Sequence, residues 1–237
     1  AASPTKAAAQ TESKAVSPAL ARAVSLHLEG KHKEALKELN TALENGEEST
    51  EIYSAKGHLQ FELEQYDDAI KSYEKLLTMA PRHTTANFNL GICYEKLGRW
   101  NEATEAFQKA LDADPNRNEA QLGLGICLLH QEKPEPAVVC FDKVLARTPA
   151  HETALFGKAV SLQLLWKFDE ASSIYLQLLG KNPQSEECLV NLVTIGMARK
   201  DHDAIQKYSE QLLTLRPHSQ AALEGLATCA FHNNDFE

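Results

Sequence analysis

The chain has 237 residues, of which 43% are hydrophobic and 24% are charged, and its formal net charge at pH 7 is −9. A chain of this length can bury a sizeable core, and no run approaches the roughly 18–20 apolar residues of a membrane span. Nucleic-acid binding needs clustered Lys and Arg, whereas the basic residues here are interleaved with acidic ones. We therefore expect neither a nucleic-acid partner nor direct membrane insertion of this chain.

Residues 1–15 are rich in Ala, Ser, Thr and Lys and have no apolar core segment. They predict a flexible linker or disordered tail rather than a signal peptide. Helical structure is expected from residue 16, because Ser17 is a good N-cap and Pro18 suits the first helical position. The predicted helical region, 16–237, stops after one unpaired helix, so we expect a fragment of a longer protein. Whether the linker follows a membrane anchor stays open.

The most informative pattern is an internal period of 34 residues. Five prolines are spaced by it, and so are a column of alanines and a column of bulky residues. The prolines are Pro81, Pro115, Pro149, Pro183 and Pro217; the alanines are Ala35, Ala69, Ala103, Ala137 and Ala171; the bulky residues are Leu39, Tyr73, Phe107, Phe141 and Tyr175. A fixed period of this size predicts stacked supersecondary units, with small residues where helices touch and bulky ones filling the space between.

Each block predicts two helices joined by a short turn. In the block 84–117 apolar residues follow helical spacing on both sides of Gly98, and Asp114 and Pro115 end the second helix. The sequence therefore predicts an all-α fold of helix-turn-helix repeats. The predicted repeats are 16–49, 50–83, 84–117, 118–151, 152–185 and 186–219, followed by a lone first helix at 220–237.

The block 84–117 also carries a family signature, a Leu-Gly pair followed at fixed offsets by Tyr, Ala, Phe and Pro. Its residues are Leu90, Gly91, Tyr94, Ala103, Phe107 and Pro115. In this the chain resembles the tetratricopeptide repeat (TPR) family. The resemblance implies a right-handed superhelical solenoid that acts as a non-catalytic scaffold for protein binding. The block 186–219 departs most, with Gly196 inside its first helix and His202 where an aromatic is usual, so we expect it to pack least regularly.

No sequence motif predicts chemistry. The phosphate-binding loop, the zinc-protease helix, the serine-hydrolase elbow and the EF-hand loop do not occur. The histidine pairs, such as His27 and His32, are not spaced i, i+4 on one helix with a carboxylate. We therefore predict no catalytic residue, no cofactor and no metal. The five cysteines form no Cys-x-x-Cys pair and predict buried structural thiols, which favour a reducing, cytoplasmic location.

The resemblance implies that the first helices of successive repeats line a concave groove that holds a peptide or helix of a partner. Helical projection places a mostly apolar set of residues there. The predicted groove residues are Phe88, Asn89, Ile92, Leu122, Ile126, Leu129, Phe156, Val160 and Asn191. The apolar members could instead be buried between neighbouring repeats, brought close by Gly123 and Gly157, and the asparagines could bind only water. The family's clamp for a C-terminal carboxylate is disfavoured, because its cationic positions are missing.

The main prediction is a scaffold that binds a largely apolar protein or peptide segment. Two alternatives stay open. One is homo-oligomer formation through the last helix, which carries Leu223, Leu226 and Phe231. The other is a substrate-presenting arm of a larger enzyme such as a glycosyltransferase. Trp166 stands in a turn where glycine is commoner, and it predicts either a contact at the rim of the groove or a packing residue.

Overall fold

The computed structural model describes residues 17–233, so the predicted linker at 1–15 and the last four residues lie outside the described residues. Within 17–233 the chain forms thirteen α-helices and no strand. The helices are α1 (Pro18–Leu28), α2 (His32–Glu44), α3 (Thr50–Glu62), α4 (Tyr66–Met79), α5 (Thr84–Lys96), α6 (Trp100–Ala113), α7 (Asn118–His130), α8 (Pro134–Arg147), α9 (Glu152–Leu164), α10 (Phe168–Lys181), α11 (Glu186–Arg199), α12 (His202–Leu215) and α13 (Gln220–Asn233). None of these helices is both long and apolar enough to cross a membrane.

The chain divides into two compact units, residues 1–93 and residues 94–237. In the first unit α1 packs on α2, α2 on α3 and α3 on α4, and α1 also contacts α3. In the second unit every consecutive pair from α6 to α13 packs together, α7 also contacts α9, and α11 contacts α13. The first helices of successive pairs thus touch at α1–α3, α7–α9 and α11–α13, as in stacked helix pairs. The predicted all-α fold of repeated helix pairs is confirmed.

Every turn between the first and second helix of a pair contains one residue in the left-handed conformation. These residues are spaced by 34, with φ between +56° and +76°, and they are Gly30, Glu64, Gly98, Glu132, Trp166 and Lys200. The Trp166 amide donates to the Gln163 carbonyl and the next amide to the Leu162 carbonyl, and the other turns repeat this pattern. This is the Schellman arrangement, in which glycine is usual. Four of the six turns therefore carry a side chain in a conformation that disfavours one.

The second helices supply the largest buried side chains. All five alanines of the predicted column are 0% exposed, and the bulky column is equally buried. Phe141 shows why these positions matter. A Cβ added to Gly125 on α7 would lie 2.8 Å from the Phe141 ring, and one added to Gly157 on α9 would lie 2.5 Å from it. The ring on α8 therefore occupies the space between two first helices, which only glycine allows at this distance.

The block 186–219 fills the same space differently. Ser209 stands at the bulky position, and its buried hydroxyl has no hydrogen-bond partner in the described part of the chain. Ile205 replaces the column alanine and lies against Gly196, whose added Cβ would be 3.0 Å from its side chain. A Cβ added to Gly225 on α13 would lie still closer, 2.6 Å from the Ser209 hydroxyl oxygen. In α12 the large side chain thus stands at the usual alanine position and the small one at the usual bulky position. This agrees with the irregular packing expected for the block.

All five cysteines are free thiols in buried positions. Burial raises the pKa of the Cys93 thiol and of the Cys127 thiol to about 12. Because the thiolate is the reactive species, we expect almost no reaction of the native protein with a disulfide reagent at pH 8. Cys229 is 7% exposed and should react first. All five should react at once in denaturant; rapid reaction of native Cys93 would contradict this burial.

Candidate partner-binding surface

The predicted groove residues fall in both units, and each set is described within its own unit. Leu122, Ile126 and Leu129 lie on α7, Phe156 and Val160 on α9, and Asn191 on α11, all in the second unit. Phe88, Asn89 and Ile92 lie on the part of α5 that belongs to the first unit. All nine side chains are partly buried. The sequence left open whether these side chains are buried between repeats or available to a partner. Their partial exposure lies between these two possibilities.

The α7 residues rest on a core while keeping one side open. Leu122, Ile126 and Leu129 recur at i, i+4 and i+7, so they lie along one face of α7. All three pack against a cluster that includes the Phe141 ring and Ala154 of α9. Their position follows from the glycines, because an added Cβ on Gly123 would come within 2.6 Å of the Phe107 ring. Gly123 thus faces α6 and Gly125 faces Phe141 of α8, and the face of α7 that carries Leu122, Ile126 and Leu129 is left half exposed.

The α9 residues continue the same pattern one repeat later. The Phe156 ring packs edge-to-face on the buried Tyr175 ring, with centroids 5.7 Å apart, and Val160 packs on the same cluster. Leu164, one turn further along α9, is 51% exposed. We call the residues Leu122, Ile126, Leu129, Phe156, Val160 and Leu164 the α7–α9 stripe.

Trp166 follows the stripe directly and is 75% exposed. Its ring lies beside the Phe168 ring, at a tilt and with centroids 5.5 Å apart. The residue has φ +61°, a conformation that costs a non-glycine residue about 1–3 kcal/mol. The exposure argues against the reading of Trp166 as a packing residue, and a contact at the rim of the groove stays a prediction.

A cavity of about 320 Å³ opens beside Phe156, between α9, α10 and α11. Its apolar wall consists of Phe156, Leu178 and Cys188, and its polar lining includes Asn182 and Glu187. A cavity of this size can accommodate one or two apolar side chains of a bound segment. The stripe therefore has a recess in which a bound side chain could be desolvated.

The two asparagines predicted to contact a partner each have a partner within the protein. The Asn191 amide donates to the Glu187 carbonyl at 2.8 Å, and the Asn89 amide donates to the Tyr73 hydroxyl at 3.2 Å. An amide group carries two N–H donors and a carbonyl acceptor, so each side chain keeps hydrogen-bonding capacity beyond these bonds. The expectation that an unbound asparagine bonds only to water does not hold for either residue.

The histidines are less scattered than the sequence predicted. His27 at the end of α1 and His32 at the start of α2 both lie next to Glu62 at the end of α3. The spacing along one helix could not show this, because three helices contribute. The signal that could have found it is the repeat itself, since residues about one period apart on successive first helices, such as His27 and Glu62, become neighbours.

Comparison with known proteins gives family matches over much of the chain. Two models of the tetratricopeptide repeat match residues 54–118 and 96–156, and a model of the coatomer epsilon subunit matches residues 136–227. No curated protein matches the sequence.

Several solved structures share the fold. The chain is similar to YrrB, described as a TPR protein with an unusual peptide-binding site, with a TM-score of 0.72 and 20% identity over 80% of this chain and 97% of YrrB. It is similar to PilF of Pseudomonas aeruginosa, with a TM-score of 0.68 and 22% identity over 88% of this chain and 95% of PilF. It is also similar to MamA, with a TM-score of 0.66 and 21% identity over 71% of this chain and 92% of MamA. At these identities the likeness establishes a common fold.

Proposed function

The chain belongs to the tetratricopeptide-repeat family, and from this premise we propose that it is a non-catalytic scaffold that binds an apolar segment of a partner protein through the α7–α9 stripe. The observation that carries the proposal is the half-exposed apolar row on two adjacent first helices, with the exposed Trp166 at its end. Folded monomers seldom leave such a row open unless it binds something.

The shape of the site favours a helix or extended peptide with large apolar anchors. Leu122 and Ile126 on α7 stand one repeat before Phe156 and Val160 on α9, which gives pairs of contacts along the direction of stacking. Anchors at helical spacing are the usual way in which an amphipathic helix occupies a groove. The recess beside Phe156 would take the anchor that contributes most to affinity. YrrB, with its peptide-binding site, offers a parallel in fold.

Asn191 would then bond to the backbone of the bound segment, while Phe88, Asn89 and Ile92 would provide partner contacts in the first unit. These roles remain part of the proposal. Because an amide offers a donor and an acceptor together, it can recognise backbone without selecting side chains. The apolar stripe would set specificity, and Asn191 in the same unit would hold the segment in register.

The test is capture of a partner from an extract of the source cells by the 237-residue chain and two variants. Ile126→Glu places a charge in the stripe, and Val139→Glu makes the same kind of change at an exposed position on α8. We expect a protein that is retained by the unmodified chain and by Val139→Glu but lost with Ile126→Glu, while circular dichroism of all three is unchanged. Equal retention by all three would move the site away from the stripe.

A second function, self-association, is favoured by α13. Leu223 on this helix is 50% exposed and Phe231 is 74% exposed. Paired copies could cover these side chains. Light scattering over a range of concentrations tests for self-association, with Leu223→Glu as the comparison. A mass that rises with concentration for the unmodified chain alone supports association. A constant monomer mass ends this alternative. The enzyme-arm alternative remains a sequence prediction.

A further inference from the structure

Three side chains in the first unit bring their polar atoms into one triangle. His27 Nδ1 lies 3.2 Å from Glu62 Oε2, and His32 Nδ1 lies 2.9 Å from the same oxygen. The two Nδ1 atoms are 3.3 Å apart. Each side chain is about one-third exposed, so the triangle faces solvent on one side. The sequence prediction of no metal rested on spacing along single helices, and this arrangement does not follow such spacing.

The fold fixes this triangle from three directions. His27 lies in the last turn of α1, His32 is the first residue of α2, and Glu62 is the last residue of α3. The turn from α1 to α2 is tight, because Gly30 adopts φ +76° and the Lys31 amide donates to the Leu26 carbonyl. Because α3 contacts both α1 and α2, its last residue is brought to this turn. The ligand positions are therefore set by packed helices rather than by a loose loop.

Two of the three distances are close to those between ligands of one metal ion, and the third, from His32 to Glu62, is shorter. Zinc bonds to imidazole nitrogen and carboxylate oxygen are about 2.0–2.2 Å long, so the ligand atoms of a tetrahedral zinc ion lie about 3.3–3.5 Å apart. The triangle has edges of 2.9, 3.2 and 3.3 Å. Two nitrogens and one carboxylate oxygen suit zinc and similar transition metals, whereas magnesium and calcium prefer oxygen ligands. The open side leaves room for water as a further ligand.

We propose that His27, His32 and Glu62 bind one divalent transition-metal ion, zinc in the first instance, with water completing the coordination. His58 supports the site from outside, because its Nε2 lies 3.4 Å from Glu62 Oε1 and thereby orients the carboxylate. The C-terminal ends of α1 and α3 favour a cation there, whereas the N-terminal end of α2 at His32 disfavours one, so the ligand set and not the helix dipoles carries the proposal. Such an ion would join α1, α2 and α3 at one point.

The test is a titration of the tag-free 237-residue chain with ZnCl₂, using a chromophoric chelator as competitor. We expect one zinc ion per chain, and no comparable binding of Mg²⁺. Glu62→Gln and His32→Gln each remove a ligand and should weaken zinc binding by more than about 100-fold. His58→Gln removes only an orienting group and should weaken it by about 10-fold. His218→Gln, an exposed histidine in the second unit, should leave the affinity unchanged.

Two further measurements locate the ion and exclude misfolding. Zinc should shift the ring-proton NMR signals of His27 and His32 in the unmodified chain, and the helical circular dichroism of every variant should match it. Without a metal, both imidazoles can donate Nδ1–H to Glu62, and the triangle is then a hydrogen-bonded cluster. Failure of the unmodified chain to bind zinc, or equal zinc affinity of Glu62→Gln, would establish that reading and overturn the proposal. The site and the α7–α9 stripe lie in different units, so either proposal can fail alone.

Discussion

We expect Phe141→Ala to lower the free energy of unfolding by about 3–5 kcal/mol, which is the usual result of removing a fully buried aromatic ring. Phe141 is 0% exposed, and its ring lies against the glycines of two first helices, Gly125 and Gly157. Removing the ring leaves a void between α7 and α9 that backbone alone cannot fill. Urea unfolding followed by circular dichroism measures the loss, with Val139→Ala on the same helix expected to change stability by less than about 0.5 kcal/mol.

A double-mutant cycle tests whether the ring and the glycine act as one unit. Gly157→Ala alone should cost about 1–3 kcal/mol, since the added methyl would lie 2.5 Å from Phe141 Cζ. In a Phe141→Leu background the same methyl has more room. We therefore expect a favourable coupling energy of about 0.5–3 kcal/mol between the two substitutions. Strictly additive effects would mean that the ring simply moves aside, and that Gly157 is not required for the approach of α9.

This packing explains how far the sequence could predict the fold. The 34-residue columns name the buried residues, because Ala103 and Phe107, or Ala137 and Phe141, recur at positions where every repeat must make the same contacts. Prediction from these columns fails where a substitution at one position is compensated by a substitution at another. Ser209 stands at a bulky position, and this small side chain fills the space only because Gly225 comes so close that an added Cβ would lie 2.6 Å from its hydroxyl oxygen. The sequence alone shows that α12 has a large residue at the alanine position and a small one at the bulky position. It does not show which residue of the neighbouring helix lies against them.

The candidate binding residues were harder to predict than the core. Helical projection found the face of α7 that carries Leu122 and Ile126, but it could not tell burial from exposure, which depends on the neighbouring helices. The histidine cluster was missed because His27, His32 and Glu62 belong to three helices. Prediction from a repeat sequence therefore needs the contacts between repeats as well as the pattern within each one.

Replacing Trp166 in its turn should also have a large effect, because we expect stability to rise and affinity for the partner to fall. Trp166→Gly removes the left-handed strain, so we expect the free energy of unfolding to rise by about 1 kcal/mol. The same change removes the most exposed aromatic beside the α7–α9 stripe. Affinity for the partner captured by the unmodified chain should fall by about 2 kcal/mol or more, or roughly 30-fold.

Two control variants separate the two effects. Trp166→Ala removes the ring but keeps a side chain at φ +61°, so it should lose affinity without gaining stability. Lys200→Gly relieves the strain at the equivalent turn one repeat later, where φ is +57°, and should gain stability without losing affinity. Thermal or urea unfolding and a titration with the captured partner give both quantities. Unchanged affinity of Trp166→Gly would remove Trp166 from the binding surface, whereas a stability gain in that variant would still show that its backbone conformation is strained. If Trp166→Gly gains stability and loses affinity while the two controls behave as expected, the tryptophan at this strained position is best explained by what its ring binds.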